Sequence, residues 1–193
     1  MTVAVGWKGL PTFVLFEADV TRDSDGLVRV PYRLPDGHLH NVRMFAPSGR
    51  CWWEPRGLSL IPFGLDRQWR EGMRRYRCLA ITEGESDALA LDAALGAEGL
   101  DVLGVPGAST WKPEWAAHTR GYDAVYVIGD GDRAGRAFNW RVRHDLPGAM
   151  VVDLPDGDDV RGLLQRDGAD PLVDAIEAAE AIARLQEALG LAA

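Results

Sequence analysis

From about Arg77 onward, short apolar runs alternate with stretches of helical period. The runs are "CLAIT", "DVLGV", "AVYVIGD" and "AMVVDLP". Between and after them come "ESDALALDAALGA", "KPEWAAHTRG", "RAGRAFNWRVRHDL" and "DVRGLLQRDG". Apolar runs this short, bounded by turn residues, predict buried strands, and the longer periodic segments predict helices. "KPEWAAHTRG" predicts only a short helix or turn. Repeated strand–helix alternation predicts a largely parallel sheet with helices on its faces. Ser86 is positioned to cap the first helix. The closing segment "DPLVDAIEAAEAIARLQEAL" predicts one more helix, capped by Asp170 with Pro171 in its first turn. Leu172, Ile176, Ile182, Leu185 and Leu189 would form one stripe along it.

Residues 1–75 have a different texture, rich in Gly, Pro and aromatic residues, with short alternating stretches. "VRVPYRLPDGHLHNVRMFA" predicts two strands around the turn Pro35-Asp36-Gly37. "GRCWWEPRG" predicts an edge strand closed by Pro55. Trp52 and Trp53 are expected to pack over a small core more often than to stack on bases. The expected organisation is α/β: a β-rich subdomain over 1–75, a sheet-and-helix domain over 76–167, and an amphipathic helix over 168–193.

Composition narrows the class. The chain has 193 residues and 47% hydrophobic content, enough for one core or one core with a small annex. No apolar run approaches the ~20 residues a bilayer requires, and "MTVAVGWKGLPTF" makes a poor signal peptide. The expected compartment is the cytoplasm, with no membrane partner. Cys51 and Cys78 are far apart and in no CxxC, so a disulfide framework or a four-Cys zinc site is excluded on count. His38 and His40 are expected on the surface rather than around zinc. The net charge of −8 argues against a protein that grips duplex DNA over its whole surface. Cations cluster instead: Arg67 to Arg77 holds five Arg, including Arg74 and Arg75, against one Glu, and Arg133 to Arg143 holds four Arg. Such clusters suit a polyanion, or equally a solvated face.

Ligands in open parallel sheets gather at the carboxyl ends of the strands. The first predicted strand ends in Thr82, followed by Glu83, Gly84, Glu85 and Asp87. The third ends in Asp130 and Asp132, and the fourth in Asp156, Asp158 and Asp159. The second ends in "GVPGAS", whose glycines would let a backbone approach a phosphate closely. Clustered carboxylates without His or Cys are hard oxygen ligands that suit Mg²⁺ or Mn²⁺. Such an ion would offset the repulsion between Asp130 and Asp132. The chemistry implied is phosphoryl or nucleotidyl transfer, or phosphodiester cleavage. Taken singly, each acid could equally be a cap or turn residue. Other sites fit less well. There is no GxxxxGK[ST] for a P-loop and no GxGxxG for a dinucleotide fold, and Lys112 precedes the Asp pair, unlike the lysine of haloacid-dehalogenase-type phosphatases.

"ITEGESDALAL" and "VIGDGDRAG" resemble the Glu and Asp-x-Asp motifs of the TOPRIM domain, shared by primases, topoisomerases and some nucleases. With "GVPGAS", "LPDGDD", an upstream "YRLPDG…VRMF" and "PFGL", the order is similar to the primase half of phage primase–helicases, from about Tyr32 to Leu164. The resemblance implies Glu83 as catalytic general acid/base or metal ligand. It implies Asp130 and Asp132 as the metal pair, with Asp87 and Asp159, the acids of the first and last motifs, as further metal-site residues. It implies Arg43 as a contact to nucleotide or template, with Gly107, Ser109, Arg133, Arg74 and Arg75 as further nucleic-acid-binding candidates. Three departures stand out. Within the residues read, no zinc module and no helicase motor are expected, and Asp158 occupies a position where a Lys is common.

The expected function is Mg²⁺- or Mn²⁺-dependent synthesis of short RNA primers from nucleoside triphosphates on single-stranded DNA, alone or as the TOPRIM subunit of a split primase. A replicative helicase or a separate zinc-binding module would be its partner. The alternatives are a metal-dependent TOPRIM nuclease, or a non-catalytic module that binds nucleic acid or docks a helicase.

Overall fold

The structure is a computed structural model. It describes every residue except 71, 72, 75, 76, 192 and 193, and the backbone alone at 69, 70, 73 and 74. The amino-terminal part holds β1 (Thr2–Val3), α1 (Thr12–Glu17), β2 (Thr21–Arg22), β3 (Val28–Arg33), β4 (Leu39–Phe45) and β5 (Cys51–Glu54). These strands form an antiparallel sheet in the order β1-β2-β3-β4-β5. The turn at Pro35–Gly37 and the edge position of Cys51–Glu54 follow the sequence pattern. The helix Thr12–Glu17 was not apparent in it, because six residues give less than two full turns of periodicity. Trp53 packs edge-on against Tyr32 at 4.8 Å, within the small core expected for it. His40 meets the Ser59 carbonyl, and both cysteines are free.

After a short hairpin of β6 (Trp69–Arg70) and β7 (Met73–Arg74) comes the parallel sheet. Its strands are β8 (Cys78–Glu83), β9 (Leu100–Val105), β10 (Ala124–Ile128) and β11 (Met150–Val151), in the order β11-β10-β8-β9. The helices are α2 (Glu85–Leu95), α3 (Arg133–Asp145), α4 (Val160–Asp167) and α5 (Asp170–Ala188). Alternate strand residues feed two cores. Ala80, Val102, Tyr126 and Ile128 join α2, α4, α5 and the amino-terminal sheet. Leu79, Ile81, Leu103 and Val127 join Phe138 and Val142 of α3 with Trp111 and Trp115.

α2 lies between the two sheets, and eight of its eleven residues are buried. A helix apolar or buried all round must be covered on every side. α1 and α4 help supply that cover. Two expected caps differ from what is observed. Gly84 precedes α2, and the Ser86 hydroxyl points instead to Asp87 and Lys8. Ala169 precedes α5, with Asp170 already inside its first turn. The α5 stripe also divides. Leu172 is fully buried, whereas Ile182, Leu185 and Leu189 are more than half exposed, because the helix runs on past the core.

Candidate functional site

The connection from β9 back across β8 to β10 reverses the winding of the sheet between β8 and β10. Ligands bind at such a switch point, beyond the carboxyl ends of the strands. Thr82 pairs with Ile128 there, so Glu83 and Asp130 leave adjacent strands side by side.

The Asp-Gly-Asp tip is fixed by the last acidic loop. Gly131 N–H donates to Asp158 O at 2.7 Å, and Gly157 N–H donates to Gly131 O at 2.9 Å. A Cβ on Gly131 would overlap the Pro155 carbonyl oxygen, which is why glycine separates the two aspartates. Gly135 serves the same end from the other side. A Cβ there would strike the Asp130 backbone, so its absence lets α3 start directly against the tip.

Each acid has a distinct environment. Glu83 Oε1 accepts from Ala108 N–H at 3.2 Å, while its Oε2 is buried with no hydrogen-bond partner. Burial raises the Glu83 pKa, and Asp132 and Asp87 push it the same way. Asp130 is pushed up to about 7 by burial and by the charges of Glu83, Asp87, Asp159 and Asp132. Asp87 is buried; its Oδ1 accepts from Arg161 N–H at 3.0 Å and its Oδ2 from the Ser86 hydroxyl at 3.3 Å. Burial also raises its pKa. Asp132 caps α3 by accepting from Gly135 N–H at 2.8 Å. Asp159 caps α4 through Gly162 N–H and pairs with Arg161 at 2.7 Å. The capping role weighed for these acids in the sequence is therefore real for two of them. For Asp132 it uses only one of the two carboxylate oxygens. Asp158, by contrast, is gripped by both terminal nitrogens of Arg166 at 2.6 and 2.9 Å, which holds its pKa low.

The acids thus share one electrostatic field, but among the described residues no three His, Cys, Asp or Glu side chains converge tightly enough to enclose an ion. The donor set nonetheless fits a hard divalent cation. It is all carboxylate oxygen, it includes a buried orphan on Glu83, and its crowding is unfavourable without positive charge.

The basic candidates are placed unevenly. Arg43 is not a free cation at the rim of a groove. It forms a buried pair with Glu85 at 2.7 Å, and the Tyr32 hydroxyl donates to the same oxygen at 2.5 Å. Its guanidinium also lies over Phe45 and Trp53 at 5.2 and 5.5 Å. Gly107 has a left-handed backbone and Ser109 is exposed, but the "GVPGAS" loop spends its Ala108 N–H on Glu83. Arg141 donates to Ala108 O and ties this loop to α3. Arg133 is exposed at the start of α3. The Arg74 side chain and Arg75 lie outside the described residues. Of the rest of that cluster, Arg67 pairs with Asp92 at 3.0 Å and Arg77 pairs with Asp123.

Lys8 carried no signal in the sequence beyond being one of two lysines. Its non-glycine backbone sits at φ 50°, and its ammonium reaches Ser86 Oγ at 3.2 Å, beside Asp87. A lysine at positive φ is uncommon, and such positions concentrate at functional sites.

Residues 78–150 match the Toprim domain. The chain is 39% identical over 105 residues to the Gene 57 protein of Mycobacterium phage D29, covering 54% of this chain and 66% of that one. Its fold is similar to the primase fragment of the bacteriophage T7 primase-helicase protein, with a TM-score of 0.74 and 17% identity over 88% of this chain and 72% of that one. The E. coli primase catalytic core superposes with a TM-score of 0.63 and 22% identity over 88% of this chain and 61% of that core. The chain thus spans somewhat under two thirds of the E. coli core and about two thirds of the phage D29 protein.

Proposed function

We propose that this chain, in which residues 78–150 form a Toprim domain, is a primase-type nucleotidyltransferase core that makes short RNA primers on single-stranded DNA. The observation that carries the reading is Glu83. Its Oε2 is buried and unpartnered at the switch point, beside an Asp130 whose pKa burial and crowding have pushed up to about 7. Buried polar atoms are nearly always partnered, so an orphan carboxylate oxygen in a carboxylate cluster calls for a ligand. The likeness to primase cores over the amino-terminal sheet as well supports a primase over a minimal nuclease.

Asp130 and Asp132 would hold Mg²⁺ or Mn²⁺, which supplies positive charge against the oxygens of a reacting phosphoryl group. Asp87 and Asp159 are bound to Arg161 and keep α2 and α4 in register with the metal-holding acids. Glu83, with its raised pKa and one free oxygen, is suited to take a proton from an attacking 3′-hydroxyl. The Ala108 N–H fixes its carboxyl plane. Arg133 stands where it would meet phosphate. The substrates are nucleoside triphosphates and a single-stranded DNA template, and the partner is a helicase or a separate zinc-binding module. Among the described residues no helix is long and apolar enough to cross a membrane. We assign residues 1–75, 76–167 and 168–193 as template-side subdomain, catalytic domain and terminal helix.

The test pairs wild type with Glu83→Gln on single-stranded DNA, labelled nucleotides and Mg²⁺ or Mn²⁺. The substitution keeps shape, so binding of DNA stays near wild type while turnover falls by about 10²- to 10⁴-fold. Near-wild-type synthesis by Glu83→Gln refutes the assignment. DNA cleavage by wild type with no synthesis under either metal converts the reading to a nuclease.

A further inference from the structure

The solvent face of α3 carries a pattern that the catalytic site does not use. Phe138 and Val142 are fully buried and seat the helix. On the other side Arg133, Arg136, Trp140, Arg143 and His144 recur every three or four residues and share one face. Trp140 is 70% exposed, with its ring 5.6 Å from the His144 ring. Arg136 donates to the Gly131 carbonyl at 3.3 Å and pairs with Asp156 at 3.2 Å, the ion pair being so exposed that it contributes little and a phosphate can replace the aspartate. Next to this face lies a cleft of about 580 Å³ between α3 and α5, with an apolar floor at Ala149 and Met150.

We propose that this face of α3 is a track for single-stranded nucleic acid, with phosphates on the arginines and a base stacked on Trp140. Interleaved cations and an exposed aromatic are the two components of sequence-tolerant single-strand binding. Glu187 on the α5 wall and Asp153 just past β11 both line the cleft, and they keep phosphates to the α3 edge and let only bases turn inward. The same two acids disfavour an acidic helical peptide, which would lay its own carboxylates along them. Arg133 follows Asp132 directly, so the track begins at the catalytic edge and runs ~16 Å along the helix to His144. It rests on the primase reading only for the direction in which the strand travels.

The test is fluorescence anisotropy of a labelled oligo-dT with the full chain in EDTA, where no catalysis occurs. Trp140→Ala should weaken binding by about 5- to 150-fold, the range of one base stack removed, while Trp140→Phe retains most of it. Arg136→Gln with Arg143→Gln should flatten the slope of log K against log salt by about 1.4, or 0.7 for each phosphate no longer neutralised. These side chains are on the surface, and unchanged circular dichroism confirms that the variants fold. Wild-type affinity and slope in both variants overturn the proposal, as does no binding by wild type at low salt. An acidic amphipathic peptide that binds wild type but not Trp140→Ala, with oligo-dT indifferent, makes the occupant a protein and also overturns it. A chain that binds oligo-dT through Trp140 yet makes no primer keeps this inference and removes the primase reading.

Discussion

Removing the charge of Asp130 should stabilise the metal-free protein at high pH and leave it unchanged at low pH. The Asp130 carboxyl is pushed up to about 7, first by burial and then by Glu83, Asp87, Asp159 and Asp132. An unfolded aspartate ionises near 3.9. Between these values the native state holds a proton that the unfolded state has released, so stability falls as pH rises. The contribution is fully present below about pH 4 and gone above about pH 7. Three units correspond to about 4 kcal/mol; solvent reaching this partly exposed group cuts that to roughly 2 kcal/mol. For a chain of this size that is about 4–8 °C in Tm. Asn mimics the protonated acid in shape. Asp130→Asn should therefore melt about 4–8 °C above wild type at pH 8 in EDTA, and only about a third as far above it, ~1–3 °C, at pH 5, where the unfolded aspartate has already ionised. Saturating Mn²⁺ should reverse the order at pH 8, because only wild type gains fully by mass action. The assay is thermal melting at both pH values, with EDTA or Mn²⁺. Equal melting temperatures at pH 8 in EDTA would refute the account of crowded, desolvated charge.

Two further expectations concern residues around the acids. Arg43→Ala leaves Glu85, with its side chain only 4% exposed, without its cation, and should cost roughly 3 kcal/mol in urea denaturation; a loss below ~1 kcal/mol accompanied by lost primer synthesis would return Arg43 to a direct role on phosphate. Gly135→Ala should destabilise by roughly 1–3 kcal/mol and weaken the Mn²⁺ shift, because its Cβ displaces the Asp130 backbone. Helix propensity alone predicts a gain of ~1 kcal/mol, and a more stable variant would exclude the close approach.

The parallel sheet, its helices and the acids at three strand ends were legible because strand and helix periods alternate cleanly and the acids fall where each strand stops. The hairpin of Val28–Arg33 and Leu39–Phe45 was legible from its turn residues. What remained hidden is long-range. Nothing local distinguishes Arg43 as the partner of Glu85 from Arg43 as a phosphate ligand, since the two lie 42 positions apart. Lys8 reaches Ser86 from 78 positions away. Asp158 in the sequence could add a metal ligand or weaken phosphate binding, and only its pairing with Arg166 shows where its charge goes. The Ser86 and Asp170 caps failed for a simpler reason. Both residues favour the first turn as well as the cap, and each helix starts earlier than the side-chain signal suggests.

The encasement of α2 separates ancestry from folding. The Toprim match begins at Cys78, yet the helix just beyond it is roofed by Leu10, Val14 and Leu15, and the Tyr32 hydroxyl and the Lys8 ammonium reach down onto its first turn. A gene fragment opening at Cys78 would inherit the motifs without the roof over their central helix. Exchange between lineages at that border would unite an old catalytic edge with a foreign cover, and only covers matching Glu85 and Ser86 would survive. The two halves of the chain are therefore bound to diverge together.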